Sequence, residues 1–537
     1  MYDVTLTESY FPAQADAEIL EKSVGDILRD AAAAVPDQLA LKEVTIAGDM
    51  GRTWSYAELL ETSERLARAL LSRHAPGDRI GVWAPNIPEW ILIEMAAGLS
   101  GITLVTINPS FQPREVEFVL TQSRSKALYY VEDFRGNPMG EIARDVFGKL
   151  DSVEHLIDMN DEAALFAGGE NDTPLPAVDP LSAAQVQYTS GTTGFPKGAV
   201  LHHRGLVNNS KLHAERLGVK QGDVFLTFMP LFHTGGCAAS VLSAVNSKAS
   251  IILVPVFDPV HMNSIIEAEK VTHFLAVPTM ITGMIEAQDI KKHDLSSMRG
   301  ITSGGSMVAP ELVKKAQQIF GVNLQIIYGQ TETCPIITMV YADDSLEDAT
   351  TSVGQPMPQT ECAILDPATN KVMPIGEVGE ICSRGYLNML EYNDNPEATA
   401  ETIDKDGWLH TGDLGTMNAR GYVAITGRVK EMIIRGGENL FPAEIENAML
   451  EHPALAEVAV VGIPDEKWGE LVACFMRVGG AEKPMPDELK AFCRERLSPQ
   501  KTPAFWIYVD EWPLTGSGKI RKFLLGEEFV AGKHQAL

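Results

Sequence analysis

The sequence predicts an α/β protein built in more than one unit, and three observations carry that expectation. Strand-like and helix-like stretches alternate between residues 79 and 107, the pattern of a parallel sheet flanked by helices. A chain of 537 residues is too long for one hydrophobic core. Roughly the last hundred residues repeat the alternation on a smaller scale, as a compact α+β unit of viable domain size.

Each element has a local reason. Residues 21–34 show amphipathic spacing and are ended by Pro36-Asp37. Ser55 followed by Glu58 signals a helix start, and apolar spacing carries that helix through Leu66, Leu70 and Leu71. Residues 79–83 are a short apolar strand closed by Pro85-Asn86, residues 90–99 are helical in character, and residues 103–107 are strand-like. Asn108-Pro109 then introduces a helix over residues 115–120. Residues 160–182, rich in Asp, Glu, Gly, Ala and Pro, form an exposed connection. Residues 225–229 are a strand running into the glycine turn at Gly235-Gly236, after which Val241 and Leu242 begin a helix. Residues 257–269 are a helix and 272–281 a strand with its following turn. Residues 299–303 enter a second glycine turn, Gly304-Gly305-Ser306, and Pro310 starts the next helix. Residues 321–327 lead into Tyr328-Gly329-Gln330-Thr331-Glu332-Thr333, and residues 413–427 read as a β-hairpin. In the last unit, helices over 443–451 and 486–496 alternate with strands over 457–461 and 505–509.

Composition excludes several classes. Apolar content of 45% is ordinary for a globular protein, and no run of about 18 apolar residues predicts a transmembrane helix. Residues 1–5 lack the basic and apolar regions of a secretory signal. Six widely spaced cysteines, with no C-x-x-C pair, read as reduced thiols of a cytoplasmic protein. The formal charge of −28 argues against nucleic acid or an anionic membrane as the main partner. His202 and His203 lack a third ligand at suitable spacing, so no metal is assigned there.

One stretch carries chemistry. From Thr189 to Gly198 the chain places Thr189, Ser190, Gly191, Thr192, Thr193, Gly194 and Lys197 directly after an apolar strand end. Glycines let backbone N–H groups turn toward an anion, hydroxyls add donors, and the lysine adds a mobile positive charge. That is a phosphate cradle, although not the G-x-x-x-x-G-K-[ST] loop, because Lys197 is followed by glycine. A flexible Gly/Ser/Thr linker is the rival reading, and Phe195-Pro196 inside the run argues for a shaped loop.

This stretch resembles the signature loop of the adenylate-forming enzymes, which include acyl-CoA synthetases, firefly-type luciferases and peptide-synthetase adenylation domains. Further motifs appear in that family's order from Trp54 to Lys519, so the resemblance spans nearly the whole chain. It is strongest toward medium-chain fatty acyl-CoA synthetases. It implies a large domain of α/β layers plus a β-barrel-like subdomain over residues 1–429, and a small mobile α+β domain over 430–537. It further implies ATP, Mg²⁺ and coenzyme A as cofactors, a carboxylic acid as substrate, and admits a homodimer.

The resemblance also implies roles residue by residue. ATP would be held by the loop from Thr189 to Lys197, by Gly304, Gly305 and Ser306, by Tyr328, Gly329, Gln330 and Thr331, and by Asp413, Ile425, Arg428 and Lys519. Tyr328 would cover adenine, and Asp413 with Arg428 would take the ribose, a natural task for an acceptor-only carboxylate. Glu332 would hold Mg²⁺, which suits one carboxylate plus phosphates. Lys519, His233, Lys197, Thr331 and Glu332 would be the catalytic set. The acid would meet His233, Thr234, Gly235, Gly236, Cys237, Val277, Gly304 and Gly329, with no bulky plug at the glycine turn. Lys430 would be the hinge, and Arg435, Gly436, Gly437, Glu438, Trp468 and Lys501 would line the path of coenzyme A.

The implied reaction has two steps: acid plus ATP gives acyl-adenylate and pyrophosphate, then the CoA thiol displaces AMP. Residues 224–257 contain no carboxylate that could bind an α-ammonium, which disfavours amino-acid substrates. Transfer of the acyl group to a carrier protein and a non-catalytic nucleotide-binding regulator are the alternatives. The presence of both Lys519 and Glu332 disfavours the regulator.

Overall fold

In the computed structural model, residues 1–189, 196–306, 308–436, 438–480, 483–513 and 520–537 are described, with the backbone alone for 438–439. Three sheets and their helices precede residue 429, and a fourth sheet follows it.

The nine-stranded sheet is parallel through its centre. Leu324–Tyr328, Gly300–Ser303, His273–Ala276, Val224–Thr227, Ser250–Leu253 and Leu39–Val44 lie side by side in that order. The seven-stranded sheet orders Glu391–Tyr392, Lys197–His202, Ala183–Thr189, Thr103–Ile107, Arg79–Trp83, Ala127–Tyr130 and His155–Asp158. The inner parallel strands Thr103–Ile107 and Ala127–Tyr130 are buried at every position, as expected where helices cover both faces.

Helices that cover the sheets start where local chemistry allows. Ser55 caps Tyr56–Leu71: its hydroxyl accepts from Glu58 N, and the Glu58 carboxylate accepts from Ser55 N, a full capping box. Ser23 and Asp26 make the same box at Val24–Ala34, so that helix begins three residues later than apolar spacing alone indicates. A helix over Pro278–Ile290 replaces the turn expected there; Pro278 occupies its first position, where a missing N–H costs nothing. The expected helix at Val241 is also different. Cys237–Leu242 is a π-helix, followed by one short α-helical piece, Ser243–Ser247.

Helices Val24–Ala34 and Pro88–Ser100 cross at paired glycines. A Cβ at Gly98 would lie 2.7 Å from Gly25 N, and one at Gly25 would lie 2.7 Å from Gly98 O. Backbone meets backbone there, so neither site accepts even a methyl without moving a helix.

The expected β-barrel-like subdomain is instead an open sheet. Tyr10–Phe11, Thr360–Leu365, Gly379–Gly385, Leu409–Met417 and Val423–Arg428 form five antiparallel strands, and among the described residues the two outer strands do not pair to close it. Five strands are too few to curl shut without steep tilt and shear. On this sheet His410 Nδ1 meets Glu380 Oε2 at 2.8 Å, and the other Glu380 oxygen accepts from Gly412 N at 2.8 Å. Asp404 lies 3.5 Å from His410 Nε2, and Cys382 Sγ lies 3.4 Å from Nδ1. Gly412 has φ of 72°, a left-handed turn that the Glu380 carboxylate ties down.

After residue 431 the chain forms a separate C-terminal domain. Its sheet joins Glu438–Leu440, Ile433–Arg435, Gly469–Val478 and Leu455–Asp465, with Phe505–Tyr508 parallel to Gly469–Val478. Its two hydrophobic clusters draw only on residues from Ile433 onward.

Two outcomes follow from this packing. Gly98→Val should destabilise the large domain by about 1–3 kcal/mol or more, read as a lower denaturant midpoint; an unchanged midpoint means that the helices slide freely. Glu380 holds the His410 imidazolium protonated above its ordinary 6.5. A raised native pKa adds stability below pH 6.5 that is lost as pH rises through the native value. The difference in unfolding temperature between the protein and His410→Asn should therefore be largest below pH 6.5 and shrink above it. A pH-independent difference rules out an ionised pair.

Candidate active site

The parallel ladder decides where the candidate residues emerge. Each strand from Val224–Thr227 to Leu324–Tyr328 ends on the same edge of the sheet, and ligands of open α/β sheets bind beyond those carboxyl ends. His233 and Gly235 follow the first of these strands, and Val277 follows His273–Ala276. Gly304, Gly305 and Ser306 follow Gly300–Ser303, while Gly329, Gln330, Thr331 and Glu332 follow Leu324–Tyr328. The loops are contiguous: a Cβ at Gly305 would lie 3.8 Å from Val277 Cγ1, and one at Gly235 would lie 3.9 Å from Leu275 Cδ2.

Asp413 stands between two sheets. It is the register partner of Arg428, whose Nε donates to Asp413 Oδ1 at 2.7 Å. Tyr328 OH donates to Asp413 Oδ2 at 3.0 Å, linking the nine-stranded sheet to the five-stranded one. Tyr328 and Asp413 are 8% and 7% exposed, and Ile425, on the strand that pairs with that of Asp413, is 38% exposed. Burial, with Asp413 second, pushes the Tyr328 phenol well above its ordinary value, so it stays a donor. Asp413 raises the Arg428 guanidinium further still. The result is a carboxylate with fixed orientation and an aromatic ring beside it.

At the glycine turn, His233 is the exposed N-cap of Thr234–Gly236, and its Nδ1 accepts from Gly235 N at 3.1 Å. In the neutral ring that bond leaves the proton on Nε2, a donor suited to a carboxylate. A Cβ at Gly236 would lie 2.2 Å from Pro230 O, so close backbone packing requires glycine there. Cys237 is fully buried, and its sulfur accepts from Gln187 Nε2 at 3.3 Å. A Cβ at Gly235 would meet Met229 Cε at 3.4 Å, an ordinary contact. Gly235 therefore sets the free volume at this turn. The following π-helix is the kind of irregularity that collects at functional sites.

Thr331 and Glu332 lie in the single 3₁₀ turn Thr331–Thr333, and both are buried. Glu332 Oε1 accepts from Tyr392 OH at 2.6 Å. Thr189 and Lys197 are register partners at the ends of two antiparallel strands, and Lys197 Nζ lies 4.9 Å from the Tyr392 ring centroid. The hydroxyl and glycine positions Ser190, Gly191, Thr192, Thr193 and Gly194 lie outside the described residues, as do Gly437 and Lys519. Next to the loop, His202 caps His203–Leu217 and His203 Nδ1 accepts from Val24 N, so both histidines anchor structure.

Lys430 is exposed on the turn Val429–Glu431, which leads from the strand Val423–Arg428 into the strand Ile433–Arg435. On the small domain, Trp468 is 44% exposed, with Lys467 Nζ 5.1 Å and the Arg435 guanidinium 6.0 Å from its ring. Gly436 N donates to Trp468 O at 2.7 Å. Arg435 donates to Gln500 O, and Lys501 pairs with Glu444. Arg435, Gly436 and Trp468 thus meet, whereas Lys501 is already occupied by a carboxylate.

Sequence reading passed over Tyr392, Glu380 and the role of His410. Tyr392 touches a residue 60 positions away, and Glu380 one 30 away. Local spacing carries no signal for either contact.

Comparison with known proteins identifies the family. The family model for AMP-binding enzymes matches residues 28–393, and that for the AMP-binding enzyme C-terminal domain matches residues 444–519. The chain is 34% identical over 543 residues to the Bacillus subtilis protein YngI, whose name assigns it to the acyl-CoA synthetases, covering 96% of this chain and 98% of that one. It is 34% identical over 560 residues to the human mitochondrial medium-chain acyl-CoA ligase ACSF2, covering 97% and 89%. Among solved structures, o-succinylbenzoate CoA synthetase (MenE) of Bacillus subtilis, with its acyl-adenylate intermediate bound, superposes with a TM-score of 0.82 at 28% identity, covering 93% and 97%. With strand-end loops and a tethered C-terminal domain of this pattern, the chain belongs to the AMP-binding, adenylate-forming enzymes, on their acyl-CoA synthetase branch.

Proposed function

We propose that this protein is a carboxylate–CoA ligase of the AMP-forming kind, acting on an acid of medium-chain or similar size. The observation that carries the reading is the Tyr328–Asp413–Arg428 cluster beside the strand-end loops, an aromatic face and an oriented carboxylate suited to adenosine.

In the first step a carboxylate oxygen attacks the α-phosphorus of ATP, and the bond to pyrophosphate breaks. Both reactants are anionic, so the step needs cations on a chain whose net charge is −28. Lys197 and Lys519 supply them, and the loop between Thr189 and Lys197 offers backbone and hydroxyl donors to the phosphates. His233 orients the acid, its ring fixed by Gly235 N. Glu332 fits Mg²⁺: one oxygen is held by Tyr392, and a metal that keeps several waters needs only one or two carboxylates. When bound there, Mg²⁺ would neutralise charge on the departing pyrophosphate.

In the second step the CoA sulfur attacks the acyl carbon, the C–O bond to phosphate breaks, AMP leaves, and the thiol proton passes to solvent. Before that attack, residues 430–537 turn about Lys430, withdrawing Lys519 and bringing Arg435, Gly436, Gly437, Glu438 and Trp468 to the path of the incoming thiol. The six buried, unpaired cysteines support a reducing, cytoplasmic setting.

Incubation with ATP, CoA and a panel of acids tests the reading through pyrophosphate release. No release with any acid rejects it. Gly235→Leu should shift preference toward shorter acids, because added volume in a packed site costs about 1–3 kcal/mol. An unchanged chain-length profile removes Gly235 from the pocket. Lys519→Ala should lower pyrophosphate release by about 10²–10³ while sparing thioester formation from supplied acyl-adenylate. Equal loss in both half-reactions means that the small domain does not alternate.

A further inference from the structure

The edge strand Glu391–Tyr392 touches both halves of the phosphate-handling region. Its backbone pairs with the strand that begins at Lys197, in the register Glu391 to Val200 and Tyr392 to Ala199. Asn393 N extends the ladder to Gly198 O at 2.7 Å, and Met389 N donates to the Glu332 carbonyl at 2.8 Å. Tyr392 N is itself tied to Thr399 Oγ1 at 2.9 Å. Five residues thus stitch the Glu332 turn to the Lys197 strand, and the Tyr392 side chain repeats the link. Its hydroxyl donates to Glu332 Oε1 at 2.6 Å, while Lys197 Nζ lies 4.9 Å from its ring centroid. Tyr392 and Glu332 are each 7% exposed.

We infer that Tyr392 is a positioning residue, which holds the Glu332 carboxylate and the Lys197 ammonium apart in a preformed pair for magnesium–ATP. The inference rests on the proposed roles of Glu332 and Lys197. Carboxylate and ammonium close together would pair and cancel, leaving little charge for metal and phosphate. A tyrosine avoids this. Its hydroxyl fixes one carboxylate oxygen through a neutral donor, so the negative charge survives for a cation. Its ring face attracts the ammonium without neutralising it. Among the described residues Lys197 and Glu332 form no ion pair with each other.

Tyr392→Phe tests this, since phenylalanine keeps the ring over Lys197 and removes only the hydroxyl. A lost hydrogen bond to a charged group predicts a rise of about 10- to 100-fold in half-saturating Mg²⁺ for pyrophosphate release. Affinity for Mn²⁺ in the enzyme–ATP complex, read by electron paramagnetic resonance, should fall in parallel. The KM for the acid and thioester formation from supplied acyl-adenylate should not move. Tyr392→Leu should in addition raise the KM for ATP, because the ring is gone as well. In a Glu332→Gln background the Phe substitution should leave Mn²⁺ affinity unchanged. Unchanged Mn²⁺ affinity in the single Phe variant, or a full effect retained in the Gln background, overturns the inference. Wild-type protein that releases no pyrophosphate with any acid overturns the functional reading instead, and the Mn²⁺ comparison keeps the two failures distinct.

Discussion

The parallel ladder from Val224–Thr227 to Leu324–Tyr328 is the constraint on which the candidate site depends. Parallel strands must be joined by crossovers, so every strand in the run ends on one edge. Loops separated by up to a hundred positions are thereby delivered side by side, and none needs to be long. The residues that would read adenine and acid are strand-end residues for that reason, while the loop from Thr189 to Lys197 joins two antiparallel strands of the seven-stranded sheet. Close packing recurs elsewhere in the large domain: helices meet at Gly25 and Gly98 with backbone in contact, and at the glycine turn Gly236 presses against Pro230 O.

A second constraint is electrostatic. A chain of net charge −28 repels the polyanions that an acyl-CoA synthetase must collect. Its cations near the site are therefore arranged with care. Arg428 is matched to Asp413, which orients both rather than leaving a bare charge. Lys197 faces the ring of Tyr392. Lys430 is exposed, as is Trp468 with Lys467 and Arg435 beside its ring.

The five-stranded sheet joins these two themes. Glu380 holds both His410 and the Gly412 turn, and that turn carries Asp413. Tyr328 reaches Asp413 from the nine-stranded sheet. One carboxylate is thus located by residues from two sheets, a degree of over-determination expected where orientation matters to function.

By itself the sequence determined the layered α/β class, the capped helix after Ser55, the separate C-terminal unit and the strand-end glycine loops. Those features rest on local chemistry: hydrophobic period, capping residues and glycine, each acting within a few positions. The family motifs extended that reach because they are contiguous strings, such as the run from Tyr328 to Glu332. Only the tertiary structure decided the rest. That the third sheet stays open depends on how many strands meet, which no single segment encodes. That Gly235 and not Gly236 or Cys237 controls the turn's volume depends on what packs behind it. Tyr392 goes unmarked in the sequence because its partners, Glu332 and Lys197, are 60 and about 200 positions away. Contacts of that separation arise from sheet order and register, and one sequence read along its length carries neither.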